Sequence, residues 1–293
     1  MKASAFSYIK PSTVKEALAL LAEHGDAAKL LSGGQSLMPA LNLRLSAPEW
    51  LIDIGGLDEL RGVRVTDAGL TIGALTRHVD ILRSPEITAY APLLAEAMAH
   101  VAHPAIRNKG TLGGNLAHAD PASEMPACMV ALDAVIVTQD AHRQRRIPAD
   151  EFFTGIYQTA LAADEILVAV ELPLARPGSA HFFHEYSRRK GDYAIVGLAA
   201  SAVLHGDRFA ELRLGYFAIG DRPLLASAAF DLVGKPVTPS MLAAAQAALD
   251  AEIEPEEDQQ ASVAMRRHLA RQLLSLCVAT LLRRPELEIR RSA

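Results

Sequence analysis

Lys29-Leu30-Leu31-Ser32-Gly33-Gly34-Gln35-Ser36-Leu37 is the stretch on which the reading of this chain turns. Lys29 to Leu31 reads as a short buried strand that runs into two glycines and then into the start of a helix. Glycine has no Cβ and tolerates φ > 0, so such a bend gathers backbone N–H groups that can close on an anion. A nucleotide pyrophosphate is the usual anion, although a lone Gly-Gly is more often a plain tight turn. A second bend of the same design follows at Thr111-Leu112-Gly113-Gly114-Asn115, where Thr111 and Asn115 add side-chain hydrogen-bonding groups. One pyrophosphate can be held between two such bends. On the residues alone, nucleotide binding and a pair of ordinary turns stand level, because glycine turns are permissive.

Better-known phosphate and nucleophile motifs are absent. No G-x-G-x-x-G follows a strand and no G-x-x-x-x-G-K-[ST] occurs, which removes the dinucleotide fingerprint and the P-loop. Gly34-Gln35-Ser36-Leu37-Met38 lacks the closing glycine of a nucleophile elbow.

Outward from the first bend, the chain reads as mixed α and β. Thr13 to His24 has helical periodicity, with Thr13 and Glu16 placed for a capping box and Gly25 as the stop. Leu51 to Ile54 reads as a strand, and Val63 to Val65 with Leu70 to Ile72 as a hairpin about Thr66-Asp67-Ala68-Gly69. Helices are expected at Val79 to Arg83, Pro92 to Val101 and Pro126 to Leu132, with strands at Ala134 to Thr138 and Ile166 to Leu172. A linker over Leu172 to Gly178 carries Pro173 and Pro177. Beyond it His181 to Arg189, Ile195 to His205 and Phe209 to Ile219 read as antiparallel strands. Helices at Leu224 to Val233, Pro239 to Ala251 and Ser262 to Arg283 then close the chain. Strands followed by helices indicate an α+β fold.

At 293 residues the chain is long enough for two domains. Its 29 basic and 34 acidic side chains give a net charge of -5, which argues against nucleic acid as a partner. Two cysteines, Cys128 and Cys277, cannot build a disulfide framework, a Cys-rich zinc site or an iron–sulfur cluster on this chain alone. The longest strongly apolar run, Ala194 to Leu204, falls well short of the roughly 20 residues of a membrane span. The N-terminus has no signal-peptide core, so a soluble cytoplasmic protein is expected.

Two further stretches carry chemistry. His118, Asp120 and Glu124 could ligate a divalent metal, which would make a stand-alone metal-dependent hydrolase the alternative function; a cap on the next helix from Asp120 or Ser123 is the favoured reading of this stretch, because caps occur at most helices. Arg188-Arg189-Lys190 suits a solvated face or an acidic partner. Tyr193, after Gly191, can lay its ring on a planar ligand.

Taken in order, these stretches resemble the flavin-binding medium subunit of the molybdenum hydroxylases, the group of carbon monoxide dehydrogenase, xanthine dehydrogenase and nicotine-type dehydrogenases. The match includes Phe6-Ser7-Tyr8 leading to Pro11, the Ser32 to Leu37 bend, Asp53-Ile54 and Ile72-Gly73-Ala74. It continues through Arg107 to Asn115, His118 to Glu124, Glu165-Ile166-Leu167 and Gly191-Asp192-Tyr193-Ala194. The resemblance implies a two-subdomain FAD-binding region of the vanillyl-alcohol-oxidase/PCMH type over residues 1–175, with subdomains of about 1–57 and 58–175. A C-terminal domain, an antiparallel sheet with helices, would span 178–287.

The resemblance also implies a non-covalent FAD. Its pyrophosphate region would be lined by Lys29, Leu30, Leu31, Ser32, Gly33, Gly34, Gln35 and Ser36, and by Thr111, Leu112, Gly113, Gly114 and Asn115. Glu124 falls where the family places a carboxylate, usually an aspartate. Leu167 would contact the flavin region through its backbone, and Tyr193 would shield one ring face. His184 matches a position often held by lysine, and Val101 aligns more loosely with a cofactor position. No residue of this chain is expected to break bonds in a substrate. The implied partners are a small subunit with two [2Fe–2S] clusters and a large molybdopterin subunit, in a dimer of heterotrimers. Electrons from the clusters would pass through FAD to an external acceptor, making the chain an oxidoreductase subunit.

Overall fold

The computed structural model describes residues 2–288; Met1, on which the first expected domain opens, lies outside them. The chain starts with β1 (Ser7–Ile9), α1 (Val14–His24), β2 (Ala28–Leu31), α2 (Leu37–Asn42) and β3 (Trp50–Asp53). The three strands form a parallel sheet in the order β1-β3-β2. Val14, Ala17, Leu18 and Leu21 form the buried stripe of α1, packed with Ile52 and Ile54. Thr13 accepts the Glu16 N–H at 3.1 Å, but the Glu16 carboxylate reaches back to the N–H and hydroxyl of Ser12, so the expected box is displaced by one residue.

Next come the β4 (Val63–Thr66) and β5 (Gly69–Gly73) hairpin and five helices: α3 (His78–Arg83), α4 (Pro85–Tyr90), α5 (Pro92–Met98), α6 (Pro104–Arg107) and α7 (Leu112–His118). They are followed by α8 (Glu124–Ala131), β6 (Val135–Gln139), β7 (Gln144–Pro148), α9 (Ala149–Phe152), the short pair β8 (Phe153–Gly155) and β9 (Gln158–Thr159), and β10 (Ile166–Leu172). A five-stranded antiparallel sheet has the order β4-β5-β10-β6-β7, so β10 returns across the chain to the centre. Helix α4 was not expected; Ser84 starts it by accepting the Ile87 N–H, with Pro85 in the first turn.

The rest comprises β11 (Ser179–Ser187), β12 (Ala194–His205), β13 (Arg208–Phe217), β14 (Leu224–Leu225), α10 (Pro239–Glu252) and α11 (Val263–Leu282). The sheet β11-β12-β13-β14 is antiparallel, as expected. The expected helix over Leu224 to Val233 is not formed. Leu224 and Leu225 instead pair with Tyr216 and Gly215, and Ser227–Leu232 winds as a 3-10 helix. One face of this sheet packs on α8 and α5, the other on α11. Phe183, Ala199 and Phe217 therefore share a core with Leu94, Met98 and Met129, while Phe182, Leu198 and Tyr216 share one with Leu273 and Cys277. Among the described residues no helix is long and apolar enough to cross a membrane.

Candidate functional site

The two glycine bends meet. Ser32 Oγ and Thr111 Oγ1 share a hydrogen bond of 2.5 Å, although one follows β2, the other caps α7, and they lie far apart in sequence. Gly33 makes the approach possible: a Cβ there would stand 2.3 Å from the Lys109 carbonyl oxygen and 2.8 Å from Gly110 Cα. At Gly114 a Cβ would lie 2.8 Å from Thr111 Oγ1 and 3.2 Å from Ser32 Oγ. The missing Cβ atoms thus bring the bends together rather than only leaving room for a ligand.

Their donors are used differently. In the second bend, Leu112 N–H donates to the Thr76 carbonyl, Gly113 N–H to that of Ala74 and Gly114 N–H to Thr111 Oγ1. In the first, the N–H groups of Gly33, Gly34, Gln35 and Ser36 meet no acceptor among the described residues. The Gln35 side chain braces this bend by donating to the Gly33 carbonyl at 2.8 Å. A run of unpaired N–H groups at a glycine bend is an anion cradle. Thr111 to Asn115 serves as the frame behind it.

The cradle opens on a cavity of about 200 Å³ at the carboxyl ends of the three parallel strands, the end where α/β sheets receive ligands. Ser32, Gly33, Thr111 and Leu75 line it together with Lys10, Arg61, Arg77, Lys109 and Asp53. Asp53 is engaged by the Tyr8 hydroxyl and the Gly55 N–H. Arg61 lies 3.1 Å from Asp58 and donates to the Gly55 carbonyl.

From the second bend, α7 leads to the remaining expected residues. Asn115 and Ser123 exchange hydrogen bonds of 2.8 and 3.1 Å, fixing the turn between α7 and α8. Ser123 stands at the start of α8, but its hydroxyl faces Asn115 and does not cap the helix, and Asp120 accepts the Ala122 N–H within the turn. The capping expectation fails because a closer partner takes each side chain. Ala119 and Tyr157 both adopt left-handed backbone, joined by the Tyr157 N–H to the Ala119 carbonyl. Strained non-glycine residues of this kind concentrate at functional sites. The His118 ring lies 4.9 Å from that of Tyr157, and Tyr193 stands 63% exposed nearby.

Glu124 is buried, and burial pushes its carboxyl up to about 8. His100 Nδ1 lies 3.4 Å from Glu185, whose second oxygen is buried without a partner; that carboxylate holds His100 above the usual imidazole range. His184 occupies the other face of β11, between Phe182 and Tyr186, and burial lowers its pKa. Leu167 and Val101 are buried, while Lys29 is exposed on β2 beside the cradle.

The metal alternative finds no support. His118 packs on an aromatic ring, Asp120 closes its own turn, and among the described residues no cluster of three His, Cys, Asp or Glu side chains can hold a metal ion. The sequence reading missed Lys10, Arg61, Arg77, His100, Glu185 and Tyr157, which have no common spacing. Only Lys109, next to the second bend, carried a local signal.

Two family models match. Residues 4–175 match the FAD binding domain in molybdopterin dehydrogenase, and residues 181–281 the CO dehydrogenase flavoprotein C-terminal domain. The chain is 45% identical over 204 residues to the 6-hydroxypseudooxynicotine dehydrogenase complex subunit alpha of Paenarthrobacter nicotinovorans, covering 70% of this chain and 69% of the relative. It is 41% identical over 239 residues to the caffeine dehydrogenase subunit beta of a Pseudomonas species, covering 81% of each. A solved carbon monoxide dehydrogenase from Hydrogenophaga pseudoflava, which lacks the Mo-pyranopterin moiety of its cofactor, superposes with a TM-score of 0.94 at 36% identity, over 97% of this chain and 99% of that one. With sequence, fold and family models in agreement, this chain belongs to the FAD-binding medium subunits of the molybdenum hydroxylases.

Proposed function

We propose that the chain holds FAD non-covalently, with the pyrophosphate on the free N–H groups of Gly33 to Ser36 and Thr111 to Asn115 as the supporting frame. The observation that carries this reading is the acceptor-free run of N–H groups where the two bends join. The residues present fit the group: the cradle is donor-rich, the neighbouring cavity is cationic, and a Cβ at Gly33 or Gly114 would push the bends apart. Val101, Glu124, Leu167 and Tyr193 are assigned to the flavin side; His184, expected there, instead points from the other face of β11 with Phe182 and Tyr186, because side chains alternate along the strand. Residues 1–175 form the cofactor domain, in subdomains of about 1–57 and 58–175, and residues 178–287 form the C-terminal domain.

When bound, FAD supplies the exchange between one-electron and two-electron carriers. The chain's own residues position it. Ser32 to Ser36 would fix the diphosphate, and the Asn115–Ser123 pair would hold the turn that carries Glu124. With its raised pKa, Glu124 is protonated near neutrality and can donate a hydrogen bond. Tyr193, exposed in this chain, would exclude water from one ring face.

The complex is read as a dimer of heterotrimers with a small [2Fe–2S] subunit and a large molybdopterin subunit. The relatives' names, with different substrates on similar flavin chains, support placing substrate choice on another subunit. Titration of the flavin-free chain with FAD, followed by flavin fluorescence, tests the assignment. Saturation at one FAD per chain is expected; protein that shows no affinity for FAD would overturn it.

A further inference from the structure

Side chains alternate along β11, so Phe183 and Glu185 face α5 while Phe182 and His184 face the other way. The Glu185 side chain is only 4% exposed; one oxygen lies 3.4 Å from His100 Nδ1 and the other is buried without a partner. Among the described residues it pairs with no lysine or arginine. The one cation available to this buried carboxylate is therefore an imidazole, whose charge comes and goes near neutral pH. His100 is the wet end of the pair, with its side chain 37% exposed. Glu124, buried at the start of α8, lies on the same side, where burial and the neighbouring Glu185 carboxylate keep its proton on up to about pH 8. The other titratable groups there are engaged or inert: Glu96 of α5 pairs with His181 at 3.2 Å, Asp120 accepts within its own turn, and burial pushes the Cys128 thiol up.

We propose that the His100–Glu185 pair is a proton-uptake site for the flavin: the imidazole, anchored by the buried carboxylate, binds a proton from water when electrons arrive on the cofactor and gives it back when they leave. The inference rests on the FAD assignment above, which puts Glu124 and its neighbours on the flavin side. Electrons delivered from the [2Fe–2S] clusters of a companion subunit add negative charge beside a carboxylate that is already poorly compensated, and a buried setting screens that charge little. A new cation lowers the cost. His100 is the group there that can become one, because Glu124 already holds its proton. Two electrons pass from the clusters to the cofactor, one proton passes from water to His100 Nε2, since Nδ1 faces Glu185, and no other bond in the chain changes.

The test reads the midpoint potential of FAD on the loaded full chain between about pH 6 and 7.5, where Glu124 keeps its proton. For a two-electron couple, one coupled proton steepens the potential by about 30 mV per pH unit, a tenfold change in its equilibrium constant. The parent is expected to show a steeper region of up to this size, His100→Gln to lose it, and Glu185→Gln to move it to lower pH. In the flavin-free chain, NMR of the His100 ring should give a midpoint above the ordinary 6.5 that falls in Glu185→Gln. Melting temperatures show whether each variant is folded, and His100→Gln, at a part-exposed position, keeps the test open if Glu185→Gln does not fold. Identical pH slopes in parent and His100→Gln overturn the proposal, as does a His100 midpoint that Glu185→Gln leaves unchanged. A parent chain that takes up no FAD fails the cofactor assignment and this inference with it, whereas bound FAD with equal slopes removes only the proton site.

Discussion

At the scale of the residue, Gly33 matters for a reason the sequence did not disclose. The sequence reading treats its missing side chain as room for phosphate, but the atoms a Cβ would meet are the Lys109 carbonyl and Gly110 Cα, both backbone. Backbone cannot step aside as the end of a side chain can, so Gly33→Ala must separate the bends. We expect a loss of about 1–3 kcal/mol in the flavin-free chain, as for other overpacked sites, with a marked loss of FAD affinity. Thermal melts and FAD titration of the variant check both effects. Glu124 gives a second prediction. Its folded pKa, about 8, lies above the ordinary 4.5. As pH rises through this window the unfolded chain releases the proton while the folded chain keeps it, so stability falls from about 4.5 upward and levels off beyond 8. Glu124→Gln removes the effect. The flavin-free variant should match the parent at about pH 4 and exceed it by on the order of 2 kcal/mol at about pH 7.5, measured by denaturant melts.

At the scale of the element, local signals were legible and long-range ones were not. The stripe of Val14, Ala17, Leu18 and Leu21 marks α1, and the turn at Gly206-Asp207 marks the hairpin of β12 and β13. Both are recorded in neighbouring residues. Ser227–Leu232 misled the reading because Ala228, Ala229 and Leu232 are spaced as in an α-helix; their burial instead comes from packing in the C-terminal core, after Leu224 and Leu225 are drawn into the sheet. The site divides in the same way. The bends are contiguous and could be read, whereas Lys10, Arg77 and Lys109 meet only through tertiary folding. Arg266 on α11 belongs to this second kind. Although 6% exposed, it donates to the Ile195 and Ala218 carbonyls and to Asp258, tying the helix to both β12 and the loop after β13. Arg266→Met takes the donor from two half-buried carbonyls and from Asp258, and we expect a loss of about 1–3 kcal/mol in denaturant melts. FAD affinity should be unchanged, because the damage lies on the face of the sheet away from the cradle.

At the scale of the whole molecule, the C-terminal sheet is a middle layer whose cores reach both the cofactor region and the closing helices. Residues at the start of β12 and in the loop before it are therefore held by the fold that carries the site. That loop presents Arg188, Arg189 and Lys190, all exposed. Arg188 already serves the fold by donating to the Gln259 carbonyl at 2.7 Å. Arg189 and Lys190 form no ion pair among the described residues, so their charge is free to meet an acidic surface. Exposed charges of this kind act mainly on encounter and specificity, and salt weakens them. Reversing both, as Arg189→Glu with Lys190→Glu, is expected to reduce co-purification of the companion subunits, with the largest deficit at low salt. Bound flavin, read from its absorbance, should remain, because neither side chain lines the cradle or its cavity. Unchanged co-purification would remove this loop from the subunit interface, whereas loss of flavin together with the partners would show that it supports the cofactor region instead.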